Sequence, residues 1–251
     1  MFRILPLAVL ALLLGGATSP ILVPDVSQRQ VDIQYSFKGA ELLLFGAITY
    51  PGGRVPDKSA DIVVVLKGPE QPIRLREKQK IAGIWVNADT MQFQSAPSFY
   101  AIASSRPIGR ITDDRTAAIY ELGIANIQLS PTAFTDSSEI ERFQRGLIDL
   151  QQRQGLFVQQ QGKVEITGGV LYRATLPLSS RAVVGNYTAE TFLIQDGRVV
   201  AAAIRDIEVR KSGFERFIAS AAQEWPLLYG LTATGVAVAM GMIAGLVGRR
   251  Y

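Results

Sequence analysis

Apolar residues recur along this chain with two different periods, and the switch between them outlines its organisation. From Val31 to Phe37 every second position is apolar (Val31, Ile33, Tyr35, Phe37), the pattern of a half-buried strand. Glu41 to Tyr50 and Asp61 to Leu66 are apolar runs of strand length, the second rich in Val. Lys38-Gly39, Pro51-Gly52-Gly53 and Gly68-Pro69 break the chain between such runs. Ile73 to Ile81 and the stretch from Ile84 to Ser104 predict further short strands.

Helical spacing then takes over. Thr112 can cap a helix running through Asp113 to about Gly123, with Asp113-Asp114 as favourable charges at its N-terminus rather than a metal site. Asp136 and Glu139 have capping-box spacing, and Ile140, Phe143, Leu147 and Leu150 form an apolar stripe that Gly155 can end. Strands return at Leu156. Lys163 to Thr167, Val170 to Pro177, Asn186 to Gln195 and Arg198 to Arg210 fit four more, and Asp196-Gly197 is a hairpin signal between the last two. Tyr187, after Gly185-Asn186, stands where immunoglobulin-like sandwiches place a corner tyrosine whose hydroxyl ties back to backbone. The pattern predicts a mainly β fold: one immunoglobulin-like β-sandwich over residues 18–211 with a two-helix insertion at about 108–155. Two separate small β domains are the alternative.

Both ends are far more apolar than the middle. Met1-Phe2-Arg3, the apolar stretch from Ile4 to Leu14 and the small residues Gly15-Gly16-Ala17 predict a signal peptide over residues 1–17, with an uncleaved N-terminal anchor as the alternative. Pro226 to Gly248 carries no charge and, at about 1.5 Å per residue, matches a hydrocarbon core of about 30 Å, so it predicts one C-terminal transmembrane helix. Trp225 and Tyr229 stand at one end as interfacial aromatics. Arg249 and Arg250 stand at the other, which predicts a cytoplasmic tail over 249–251 by the positive-inside rule. Phe214, Phe217, Ile218, Ala221 and Trp225 share one helical face and predict an amphipathic juxtamembrane helix over 212–225. Inside the span Ala233, Ala237, Gly241 and Gly245 recur every fourth residue. Such a stripe lets a second helix approach closely, although Ala and Gly are common in membrane helices anyway.

Setting the ends aside changes the charge count. Three of the 26 cations, Arg3, Arg249 and Arg250, lie there, which leaves 23 against 22 acids. A near-neutral domain lacks the basic excess of a nucleic-acid binder, so no nucleic acid is expected as a partner. With no Cys and no His, disulfides, thiol catalysis, His-based triads and His/Cys zinc sites are excluded. A hydrolase built on paired carboxylates or a Ser–Lys dyad is the remaining catalytic alternative. No spacing picks out either arrangement, so no catalytic residue, cofactor or metal site is expected.

Two stretches are candidates for binding. On a strand, Arg74, Arg76, Lys78 and Lys80 share one face and can hold an anion, lipid headgroups or an acidic partner. They also fit a solvated edge strand that discourages aggregation. Trp85, Asn87, Ser98, Tyr100 and Arg106 combine aromatic and polar groups near loop-forming prolines and form a candidate pocket, with Trp85, Phe99 and Tyr100 otherwise reading as core.

The segments Phe37 to Gly46, Asp61 to Pro69, Gly83 to Asn87, Ser95 to Pro107 and Gly213 to Phe217 together resemble an alphaproteobacterial transmembrane protein family without an assigned activity. The resemblance implies a single-pass protein of the bacterial inner membrane with a periplasmic N-terminal domain, and it carries over no catalytic residues. Members of that family are encoded near sulfite-exporter-type anion permeases, which implies an accessory role beside another integral membrane protein. The resulting expectation is a non-enzymatic accessory or interaction subunit of a membrane complex. A periplasmic module that binds a small anion is the alternative.

Overall fold

The computed structural model describes residues 19–33, 39–56, 60–132, 136–211, 218 and 221–248. The expected signal peptide, Tyr35 and Phe37 of the first expected strand, Phe214 and Phe217 of the juxtamembrane helix, and the tail over 249–251 lie outside these residues.

The strands are β1 (Ile21–Val26), β2 (Gln30–Ile33), β3 (Ala40–Thr49), β4 (Asp61–Lys67), β5 (Glu70–Ile81), β6 (Ile84–Pro97), β7 (Tyr100–Ser104), β8 (Ser130–Pro131), β9 (Phe157–Gln161), β10 (Val164–Thr167), β11 (Leu171–Leu178), β12 (Gly185–Gln195) and β13 (Arg198–Lys211). The helices are α1 (Ile108–Ile111), α2 (Asp114–Ile119), α3 (Ser137–Arg153) and α4 (Pro226–Gly248). The chain is thus mainly β with an apolar C-terminal helix.

Two sheets share one hydrophobic core. The four-stranded sheet has the order β1-β3-β11-β10, and the six-stranded sheet the order β2-β13-β12-β4-β7-β9. Early and late strands interleave in both: β3 pairs β11 in one, β4 pairs β12 in the other. Two separate small domains are incompatible with that pairing. The first strand pair divides between the layers, β1 lying antiparallel to β3 and β2 parallel to β13.

Side-chain patterning follows from what covers each face. In β11, Tyr172, Ala174, Leu176 and Leu178 point to the core while the intervening residues face outward, the alternation of a sheet with one dry face. In β4, by contrast, Ile62, Val63, Val64, Val65 and Leu66 are all fully buried. One of its faces meets the four-stranded sheet, and the insertion covers the other. A strand dry on both sides has no reason to alternate, which is why this stretch reads as a continuous Val run.

The insertion departs from the expected pair of helices. The first, expected through Asp113 to about Gly123, is realised only over Asp114–Ile119, and a further short helix, α1, precedes it because the chain turns at Thr112. Asp113, not Thr112, caps α2, its carboxylate accepting the Thr116 amide at 2.7 Å. The Thr112 hydroxyl instead donates to the Gly197 carbonyl at 2.7 Å and so pins the insertion to the β12–β13 turn. In α3, Phe143, Leu147 and Gln151 face the core, whereas Leu150 is exposed. The expected capping box does not form: the Asp136 carboxylate takes the Ser138 hydroxyl at 2.7 Å. Gly155, left-handed at φ 69°, ends the helix as expected.

Two tight hairpins shape the rest. Asp196 (φ 48°) and Gly197 (φ 81°) make the expected β12–β13 turn. Ala82 (φ 50°) and Gly83 (φ 88°) make a second, between β5 and β6. That long hairpin, with β8 alongside β6, forms a third small sheet. Its base has a definite place. Lys67 at the end of β4 pairs with Thr188 of β12, which pairs with Asp206 of β13. β4 and β13 therefore run in the same direction, and the hairpin leaves the sheet at the edge where β13 heads toward α4.

Candidate functional site

β5 is an edge strand paired only with β6, and its exposure alternates from Glu70 to Lys80. Arg74, Arg76, Lys78 and Lys80 all fall on the exposed face. Across the ladder they meet Gln92, Thr90, Asn87 and Trp85 in turn. From Arg74 to Lys80 this face therefore holds four cations and no carboxylate, with Glu70 on the same face nearer the hairpin base. Arg74 donates to the Gln92 side-chain carbonyl at 3.4 Å, and none of the four forms an ion pair with a described residue. They lie in a row rather than around a shared concavity. Arg76 also borders a cleft of about 320 Å³ against α3.

The five candidate pocket residues are not brought together. Trp85 and Asn87 lie near the hairpin tip, and Trp85, expected in the core, is 65 % exposed. Ser98 and Tyr100 are buried at the hairpin base. Arg106 follows the far end of β7 and grips Asp61 with two donors, Nε at 2.8 Å from Oδ1 and Nη2 on Oδ2. A strand and half a hairpin separate these groups, because β7 is fully extended and the hairpin projects.

The polar cluster that does form lies between the six-stranded sheet and the insertion. The Lys67 ammonium sits 2.6 Å from Glu121 and 3.2 Å from Glu190. Burial lowers its pKa, but the hydrogen bond with Glu121 and the charge of Glu190 outweigh that effect and hold it above the ordinary lysine value. A lysine so paired is a protonated strut, not a base. Beside it, the Tyr100 hydroxyl donates to the Glu121 carbonyl at 2.6 Å and accepts from the Gly123 amide at 3.0 Å. Burial pushes this phenol far above the usual tyrosine range, so it does not exchange protons near neutrality. A groove of about 430 Å³ runs past Lys67, Tyr120, Glu190 and Phe192. Among the described residues no group of three or more carboxylates is placed to hold a metal ion.

A surface that the pattern reading missed lies on the outside of the four-stranded sheet. Val23, Ala47 and Leu171 stand side by side across β1, β3 and β11, and the next row is Asp25, Phe45 and Arg173. Ile21, Val23, Leu43, Phe45 and Leu171 are all exposed. Arg173 pairs with Glu165 at 2.6 Å on one flank, giving the apolar patch a charged rim. The signal was present in Leu42-Leu43-Leu44-Phe45: a strand with one wet face should alternate, and this one does not.

In α4 none of the side chains from Pro226 to Ile243 is buried against the rest of the chain, unlike the core helix of a soluble protein. The hydroxyls of Thr232 and Thr234 donate back to the Leu228 and Gly230 carbonyls at 2.7 and 2.8 Å, which satisfies them without water. Ala233, Ala237 and Gly241 lie exposed along one side, with Gly245 next in the stripe. A mainly β domain carrying one apolar, uncovered helix of membrane-spanning length defines a membrane protein class. Residues 21–250 match a family model, and the chain belongs to that family, described as "Putative transmembrane protein (Alph_Pro_TM)". No curated protein matches the chain in sequence.

Proposed function

We propose that this protein is a non-enzymatic interaction module, anchored in the bacterial inner membrane by α4 with its domain in the periplasm. In this reading it serves as an accessory subunit to another integral membrane protein of the anion-permease class. The observation that carries the proposal is the rimmed apolar face formed by Val23, Leu43, Phe45 and Leu171. Contiguous apolar surface on a domain in water is costly, and it is kept where a partner covers it. The strand orders support an immunoglobulin-like sandwich, a common scaffold for such contacts. They correspond to A-B-E-D for the four-stranded sheet and A′-G-F-C-C′ within the six-stranded one. The charges Arg249 and Arg250 beyond α4 support the orientation.

The test is site-specific photo-crosslinking in intact cells. A probe at Phe45 should yield an adduct with an integral membrane protein, whereas a probe at Arg110, exposed on the insertion, should not. Recovery of an uncrosslinked monomer from both positions would reject the proposal.

A further inference from the structure

We propose that the tip of the β5–β6 hairpin is a second membrane contact, which inserts Ile81, Ile84 and Trp85 among the headgroups of an anionic bilayer while Lys78 and Lys80 bind the phosphates.

Three observations point to a bilayer rather than to water alone. Ile81, Ile84 and Trp85 are 56 %, 68 % and 65 % exposed, and Val86 beside them is also exposed. Protection of an edge strand accounts for cations, but it does not account for an aliphatic and aromatic cluster in solvent. Tryptophan with aliphatic neighbours and flanking lysines is the composition favoured at a membrane interface. Second, the charge is one-sided. The face bearing Arg74, Arg76, Lys78 and Lys80 has only Gln92, Thr90, Asn87 and Trp85 opposite, and the carboxylate it carries, Glu70, lies at the hairpin base beside Ser95, away from the tip. Third, the hairpin starts at the sheet edge from which β13 leads to α4.

The lengths agree. Fourteen residues, 212–225, join β13 to α4. They span about 20 Å as helix and at most about 50 Å extended. The 12 residues of β5 reach about 40 Å. At its helical length the tether holds the hairpin base within one hairpin length of the bilayer. The domain is then held at two points, and its rotation about α4 is restricted.

The proposal rests on α4 spanning the bilayer, and the test separates the two. The chain contains two tryptophans, Trp85 and Trp225. The full-length Trp225→Phe variant, with Trp85 as its sole indole, is reconstituted into vesicles of brominated phosphatidylcholine with and without phosphatidylglycerol. Co-flotation with the vesicles after alkaline wash reports the anchor. Trp85 fluorescence reports the hairpin: with phosphatidylglycerol present, its emission should shift to the blue and lose intensity against unbrominated vesicles. Adding Lys78→Gln and Lys80→Gln should weaken this insertion about fivefold per cation removed. Circular dichroism checks that these exposed substitutions leave the fold intact. An unquenched Trp85 with water-like emission in floated vesicles would overturn the proposal while leaving the anchor in place. Quenching indifferent to both lysines and to phosphatidylglycerol would overturn it as well.

Discussion

The Tyr187 hydroxyl donates to the Val183 carbonyl, 2.7 Å away and four residues upstream. Its ring is fully buried and lies 5.8 Å from that of Phe99. The bond closes the turn into β12 and ties a loop to the central strand of the six-stranded sheet. Replacing Tyr187 by Phe keeps the packing and removes only this bond. The expected loss is about 1–2 kcal/mol, since a carbonyl is left without its partner. Thermal unfolding of the full chain in mild detergent, followed by circular dichroism, should show a lower midpoint with an unchanged native spectrum.

Lys67 predicts a pH dependence of definite sign. Its folded pKa lies above its unfolded value, so its contribution is complete below the unfolded value of about 10.4 and fades as pH rises through the folded one. Alkaline denaturation of the wild type should include this component, and Lys67→Met should lack it. At neutral pH Lys67→Met should cost about 1–2 kcal/mol, between an exposed and a fully buried pair, because Glu121 and Glu190 are left facing each other. Adding Glu190→Gln should restore part of the loss. Strict additivity of the two substitutions would contradict the coupling.

Gly46 lies in mid-strand on β3, where a Cβ atom would come 2.5 Å from the Val23 carbonyl oxygen and 2.6 Å from the Tyr172 hydroxyl. A Gly46→Ala variant must push β1 or Tyr172 aside. It should destabilise the domain by about 1–3 kcal/mol, the range for overpacking. Amide exchange should rise first in β1, which as an edge strand is the easier of the two to displace. Unchanged exchange along β1 would show that Tyr172 moves instead.

The small-residue side of α4 gives a prediction tied to assembly. Gly241→Leu and Ala237→Leu should reduce crosslinking to the partner caught from Phe45, because a bulky side chain keeps a second helix away. Ile243→Leu, on the opposite side, should leave the yield unchanged. Equal yields from all three variants would remove α4 from the contact and leave the sheet face alone.

Much of this architecture is legible in the sequence, for physical reasons that differ by element. The Asp196-Gly197 turn is readable because both residues favour left-handed backbone, and α4 because nothing else needs 23 uncharged residues. β1 is hidden by Pro24, tolerated because the strand lies at a sheet edge. The break at Ala82-Gly83 is readable as the gap between the strands expected to end at Ile81 and to start at Ile84, but Ala gives no signal of the tight turn there. Trp85 was misplaced because an aromatic in a strand is ordinarily covered, and no local pattern shows that this strand extends beyond its sandwich. Lys67, Glu121 and Glu190 are far apart in sequence and meet only because the insertion folds across the sheet, a tertiary event with no local signature.

The pairing of β13 also sets how the domain bears load. This last strand before the anchor lies between β12 and the parallel β2, with hydrogen bonds running across its axis on both sides. A pull transmitted up α4 from the bilayer acts along β13 and strains those bonds together, in shear, instead of peeling them one after another. Tension generated in the membrane would therefore pass into the whole six-stranded sheet before any strand came away.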